Sequence, residues 1–257
     1  MSIMFELFKS TGKKVCPPNH VRKSNCPLIV RSTSEDLLTA NVFGILKNLD
    51  PKIWLSRLLG EAIKGKDFSN HTFENLSVEF WKKYRPPANR KYKEGLSEVD
   101  VTITYNGGVI FIEAKYLAPL SLRTTHDRHR DQIIRYLDLG ANHYLNHPDG
   151  VQEFYFILIV DTEEPPWILS RYRLSENIRK GLTHSGLFGT YGDVTAILSK
   201  GIGWLSWSQL KRILEAARDQ FRAETELRFV DDVIRYLGYK IRQGDRIKNE
   251  RKQMALW

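Results

Sequence analysis

SEVDVTITYNGGVIFIEAKY, residues 97 to 116, places Asn106-Gly107 between two runs of β-branched and aromatic residues. An Asn-Gly pair in that setting predicts a hairpin closed by a two-residue type I′ turn, whose two positions both need positive φ. The turn length fixes the register. With Tyr105 opposite Gly108, Thr104 faces Val109, Thr102 faces Phe111 and Asp100 faces Glu113. Lys115 lies two residues beyond Glu113 and therefore projects from the same face. A three-residue Asn106-Gly107-Gly108 loop would instead oppose Asp100 and Ala114 and send Asp100 to the other face.

Two carboxylates facing each other across neighbouring strands repel, and Lys115 compensates only one of them. A divalent cation would complete the balance. Magnesium (Mg) suits so sparse a ligand set, since it takes one or two carboxylates and keeps several waters; manganese (Mn) is an admissible substitute. A lysine beside such a site can orient or deprotonate an attacking water while the metal stabilises charge on a phosphate. The chemistry implied is phosphodiester hydrolysis.

Working outward from the hairpin, further strands are expected at Leu76 to Trp81 and Phe154 to Asp161. A helix over Asp127 to Tyr144 would serve as the crossover between the third and fourth strands. Two helices precede the strands. The first runs from Ser34 to Leu49 behind the capping residues Ser32, Thr33 and Ser34, and the second starts at Pro51 and runs to about Lys64. From Ser206 to Leu237 the pattern is helical again, with Leu210, Ile213, Leu214, Phe221, Val230, Val233 and Ile234 as core positions. The last stretch, with Lys240, Arg242, Arg246, Lys248, Arg251 and Lys252, reads as a basic tail. The fold class is α/β, a mixed sheet flanked by helices with a helical C-terminal element. Its expected divisions are an N-terminal arm over 1–32, a core over 33–200 and a helical extension over 201–257.

Asp100 followed by Glu113-Ala114-Lys115 at a strand end resembles the D…ExK core of the PD-(D/E)xK nuclease superfamily, whose fold is restriction-endonuclease-like. The resemblance covers roughly residues 33 to 161, with Val99 rather than proline before the aspartate, a proline that many members lack. Gln132-Ile133-Ile134-Arg135-Tyr136 is similar to the QxxxY motif of helicase-associated recombination exonucleases, and residues four apart share a helix face. The resemblance implies a metal-dependent nuclease in which Asp100, Glu113, Lys115, Gln132 and Tyr136 form the catalytic set. It also implies a glutamate from an early helix. Glu35 sits inside the stripe of Leu38, Val42, Ile45, Leu46 and Leu49 and is preferred; Glu61, bordering the stripe of the second helix beside Arg57, is the alternative. The metal ligands expected are thus Glu35, Asp100 and Glu113.

Composition favours the same partner class. Among 257 residues, 39 are Lys or Arg and 30 are Asp or Glu, a net charge of +9, with a pI near 9.4; this favours polyanions. WKKYRPPANRKYK, residues 81–93, mixes basic and aromatic residues, which suits phosphate contact and base stacking. Lys82, Lys83, Arg85, Arg90 and Lys91 are the candidate DNA contacts there, joined by Arg123, Arg128 and Arg130 near the strand-to-helix connection. An exposed strand end with solvated charges accounts for the 81–93 stretch equally well.

Cys16, His20 and Cys26 lack the fourth ligand of a structural zinc site, and His126 and His129 are left as DNA contacts. No G-x-x-x-x-G-K-[ST] phosphate loop occurs. The longest apolar run, Phe154 to Val160, falls far short of the roughly 20 residues a membrane helix needs. The opening MSIMFELFKSTGKK has no secretory-signal pattern, so a cytoplasmic location is expected. DNA is the expected partner, with a homodimer or a larger protein complex also compatible. Restriction, recombination and defence are candidate settings. The alternative functions are a DNA-binding or scaffold subunit without turnover, and an RNA-cleaving enzyme.

Overall fold

In a computed structural model the chain is described over residues 34–87, 94–120, 130–145, 151–184 and 194–254. Helix α1 (Glu35–Leu46) starts where Ser34 Oγ accepts the Leu37 N–H at 3.1 Å. That contact satisfies one of the orphan donors of the first turn. Helix α2 (Pro51–Ala62) is capped by Asp50, whose Oδ1 accepts from Lys52 N at 2.9 Å, with Pro51 in the first turn, where its missing N–H costs nothing. Strands β1 (Ser77–Tyr84), β2 (Ser97–Tyr105) and β3 (Gly108–Ala114) follow, then α3 (Gln132–Gly140) with a π turn at Ala141–Leu145, and β4 (Glu153–Val160). The chain continues through α4 (Trp167–Tyr172), α5 (Ser175–His184), α6 (Val194–Lys200), β5 (Ile202–Ser206), α7 (Trp207–Ala217) and α8 (Glu224–Met254).

The five strands form one mixed sheet in the order β1-β2-β3-β4-β5. The first three are antiparallel, and β3-β4-β5 are parallel, with α3 in the crossover between β3 and β4. Helices cover both faces. Val101, Ile103, Ile110, Ile112, Ile157, Ile159 and Leu205 pack against α1, α2, α7 and α8. Val109, Phe111, Phe154, Phe156, Leu158 and Ile202 pack against α3 to α6. Each fully buried aliphatic side chain of this kind contributes about 1.5–3 kcal/mol relative to exposure, so period-2 alternation along the strands holds both layers in place. No helix among the described residues is long and apolar enough to cross a membrane.

The hairpin has the register expected of a two-residue turn: Tyr105 pairs with Gly108, Thr104 with Val109, Thr102 with Phe111 and Val101 with Ile112. The turn itself is not type I′, because only Gly107 has positive φ (87°) and Asn106 does not. Tertiary hydrogen bonds account for the difference. Asn106 N donates to Glu74 O at 2.9 Å, and Gly107 O accepts from both Gln152 N and Glu153 N, so neighbouring segments set the peptide orientations that a free hairpin would choose by twist.

β1 bends opposite Asp100. Trp81 would pair with Asp100, yet that rung is missing while the rungs on either side keep register, and Trp81 has φ of 52°. Left-handed backbone at a bulky residue is strained, by on the order of 1–3 kcal/mol. Side chains change faces across this point: Phe80 and Val101 belong to the α1 side, Tyr84 and Val99 to the α3 side. The Tyr84 hydroxyl accordingly reaches Thr102 Oγ1 at 3.1 Å, although Thr102 pairs with Glu79.

Two expectations about the C-terminal third are corrected. The boundary placed at 200/201 runs through the fold, since β5 pairs with β4 from Phe156–Ile202 to Val160–Ser206 and is part of the sheet. The sequence announces no strand there because IGWLS is short and contains a glycine, which weakens any strand pattern. That glycine is needed: a Cβ on Gly203 would stand 2.6 Å from the Ala62 carbonyl oxygen of α2. Gly203→Ala is therefore expected to cost about 1–3 kcal/mol, read as a lower urea midpoint at unchanged m-value. The basic tail, moreover, is a continuation of α8, a 31-residue helix through Met254, whose first half buries Val230, Val233 and Leu237. The arm over 1–32 lies outside the described residues, as do Cys16, His20, Cys26, His126 and His129.

Candidate active site

The strands part at the carboxyl end of β3. The β2–β3 ladder ends at Val101–Ile112, which makes Asp100 and Glu113 the next opposed positions. In an unbroken ladder Ala114 N–H would bond to Val99; instead it donates to Asp100 Oδ2 at 2.9 Å. The Asp100 carboxylate thus occupies the fork between the two strands. Beyond it, three successive backbone N–H groups are held by three different partners: Lys115 by Ile159 O at 2.7 Å, Tyr116 by Glu35 Oε2 at 2.9 Å, and Leu117, with φ of 60°, by Asp161 Oδ2 at 3.1 Å. Trp207 Nε1 donates to the Lys115 carbonyl at 3.1 Å. This clamping aims the Lys115 side chain back across the fork.

Lys115 Nζ lies 2.5 Å from Glu113 Oε1 and 3.1 Å from Glu35 Oε1, so it bridges a strand residue and the first residue of α1. Glu35 is the early-helix glutamate at the fork. Glu61 is elsewhere, 2.8 Å from Lys64 Nζ and 3.4 Å from Gln209 Nε2. Helix α3 approaches from the opposite layer. Gln132 Nε2 donates to Glu113 Oε1 at 2.6 Å and to the Tyr136 hydroxyl at 3.0 Å. Tyr136 in turn donates to Glu98 O at 2.8 Å. The i and i+4 residues share one face, and that face looks at Glu113.

Three carboxylates, Glu35, Asp100 and Glu113, surround one ammonium. Burial pushes the Asp100 carboxyl well above its ordinary range, and the Glu113 charge pushes it further. Burial also raises Glu35, with Lys115 opposing. For Lys115, burial alone would lower the pKa, but the Glu113 and Glu35 charges outweigh it and the net shift is upward. Tyr136 is likewise raised, by burial and then by Glu113.

The donor set fits a hard divalent cation in one respect. Glu113 is only 1% exposed, and its Oε2 is buried without a hydrogen-bond partner, an expensive state for a carboxylate oxygen. If all three acids ionise, two negative charges remain uncompensated by Lys115. Asp100 and Glu113 would hold the ion, matching magnesium's habit of using one or two carboxylates and several waters. Among the described residues no group of three or more His, Cys, Asp and Glu has the arrangement of a metal cage; Glu35 is engaged by Lys115 and Tyr116 N–H.

The candidate DNA contacts divide. Lys82 Nζ is 2.5 Å from Glu79 and Lys83 Nζ is 3.9 Å from Glu98, while Arg85 is exposed. Arg90, Lys91, Arg123 and Arg128 lie outside the described residues. Arg130 is corrected: it is 0% exposed and forms ion pairs with Asp138 and, at 3.5 Å, with Glu94. It braces the start of α3, next to Asp131, whose Oδ1 caps Ile134 N and whose Oδ2 accepts from Tyr172 at 2.6 Å. Arg130→Met is expected to cost on the order of 3 kcal/mol by removing the buried guanidinium that offsets Asp138, whereas Glu94 keeps Arg135 Nε at 3.3 Å, while the DNA affinity of the folded fraction stays unchanged. A chemical-denaturation curve and a binding titration check both halves.

Asp161 and Trp207 also belong to this neighbourhood, which the sequence does not signal. No local signal marks them, because each reaches the fork only through a strand end remote in sequence. Compared with known protein families, curated proteins and solved structures, the chain matches none.

Proposed function

We propose that this protein is a phosphodiesterase of the PD-(D/E)xK nuclease type, and specifically a magnesium-dependent deoxyribonuclease. The observation that carries the reading is the unpartnered, buried Glu113 Oε2 beside Asp100 in a cluster whose acids outnumber its one lysine. Bound magnesium would polarise a scissile phosphate and lower the pKa of a water at the same site.

The chain's own groups supply the rest. Gln132 occupies Glu113 Oε1 by its hydrogen bond and leaves the other carboxylate oxygen without a partner, and Tyr136 fixes Gln132. Lys115 is an ammonium at neutral pH, since its pKa is raised. Its role is to donate to the attacking water or a phosphate oxygen and to offset developing negative charge, not to remove a proton. Asp100 is held in the fork by Ala114 N–H, so its free oxygen has a fixed direction.

The net charge of +9 supports a polyanionic substrate. The test is incubation of purified protein with linear, circular and single-stranded DNA and with RNA, each with magnesium, manganese or a chelator. Metal-dependent DNA cleavage is the expected result. Cleavage of RNA alone reassigns the substrate, and no cleavage of any of them overturns the reading.

A second reading, a DNA-binding subunit without turnover, is favoured by one observation: Lys115 already bridges Glu35 and Glu113, an ion-paired arrangement that stands without a metal. DNA binding in the absence of any cleavage would select it.

A further inference from the structure

The second half of α8 runs alongside the carboxyl ends of β3 and β4, where the candidate active site lies. Four contacts seat it there. The Tyr116 hydroxyl donates to Lys240 O at 2.8 Å, and the Tyr116 ring lies close to Gly244, where a Cβ would come within 3.3 Å of it. Lys248 Nζ is 3.1 Å from Asp161 Oδ2, the same carboxylate oxygen that holds Leu117 N. Arg251 Nη1 reaches Leu117 O at 3.5 Å, at the limit of a hydrogen bond. Leu117 is two residues beyond Lys115, so the Arg251 guanidinium stands within roughly 10–15 Å of the fork, a span of a few phosphates along one strand.

The face of the helix decides which charges matter. At about 100° per residue from Gly244, Arg251 falls near −20°, Lys248 near 40° and Lys252 near 80°, whereas Arg242 and Arg246 fall near 160° and −160°. Lys248 is paired with Asp161, and Arg246 with Glu250 at 2.9 Å. Arg251 and Lys252 are exposed and have no carboxylate partner among the described residues. The lysines of β1 differ, since Lys82 and Lys83 each have a glutamate nearby.

We propose that Arg251 and Lys252, on the site-facing side of the C-terminal helix and clamped there by Lys248 and Tyr116, form a track for nucleic-acid backbone phosphates leading to the active site. The choice of polyanion rests on the nuclease reading.

The test measures affinity for a short mixed-sequence DNA duplex against salt, in chelator so that no cleavage occurs, with cleavage in magnesium assayed separately. Arg251→Ala with Lys252→Ala is expected to flatten the plot of log affinity against log salt by roughly 1.8, two contacts at about 0.9 each. Arg242→Ala with Arg246→Ala removes the same charge from the far face and is expected to leave the slope unchanged. Equal slopes for the two double variants overturn the track, because they reduce it to diffuse attraction. Cleavage by wild type with equal slopes rejects the track alone. Unequal slopes without any cleavage support the track and reject the nuclease reading. Failure of wild type to bind the duplex at low salt overturns the track.

Discussion

Replacing Lys115 by alanine is expected to lower magnesium-dependent DNA cleavage at saturating substrate by about 10³-fold, in the range of a lost catalytic proton or charge donor. Duplex affinity in chelator should change by no more than a few-fold, since one of 39 basic residues is removed. Stability should fall as well. Lys115 is the shared cation of Glu35 and Glu113, and its loss leaves two acids facing each other. The cost is on the order of 2 kcal/mol, less than for a fully enclosed pair because the lysine side chain keeps 13% exposure and the acids can take up protons. Lys115→Arg separates the two effects: it restores the charge but not the compact ammonium geometry, so it should recover much of the stability and little of the rate. Single-turnover cleavage and thermal unfolding of both variants provide the measurements. Full activity of Lys115→Ala would place the chemistry elsewhere.

Asp100→Asn is expected to abolish metal-dependent cleavage and, in chelator, to make the protein more stable. The amide oxygen can still accept the Ala114 N–H that now bonds to Asp100 Oδ2, so the fork keeps its hydrogen bond. What disappears is a negative charge that burial and Glu113 disfavour. The gain should be on the order of 1 kcal/mol, or about 2–4 °C in Tm for a chain of this size.

The pH dependence follows in sign. Asp100 in the folded, metal-free protein binds its proton more tightly than in the unfolded chain, where the pKa is near 3.8. Between the two values the native state holds more protons, so stability decreases as pH rises through the raised folded value. Wild type should therefore lose stability over that window and Asp100→Asn should lose less. Denaturation midpoints at stepped pH test this; identical pH profiles, or a less stable Asp100→Asn, would show that the carboxylate is compensated in the free protein.

The sequence alone determined whatever depends on neighbours a few residues apart. A two-residue turn permits one register, and that register opposes Asp100 and Glu113 with Lys115 beside them. Helix periodicity puts Gln132 and Tyr136 on one face. Ser34 and Pro51 announce their helices, Ser34 because a cap acts on N–H groups two or three residues away and Pro51 because its fixed φ and missing N–H suit a first turn.

Only tertiary structure decided the rest. Glu35 and Glu61 are both early-helix acids, and what distinguishes them is where α1 and α2 dock: Glu35 meets Tyr116 N–H and Lys115 at the strand end, while Glu61 meets Lys64 and Gln209. Arg130, one more basic residue in a basic segment, is buried because Glu94 and Asp138 converge on it. The Asn106-Gly107 turn keeps its register but not its dihedral type, since Glu74, Gln152 and Glu153 bind its backbone. β5 exists because β4 offers it an edge to pair with, and α8 stays regular past its apolar half because Tyr116 and Asp161 give its basic half a place to rest. In each case the deciding partner is remote in sequence, and only packing brings it within hydrogen-bond or ion-pair distance.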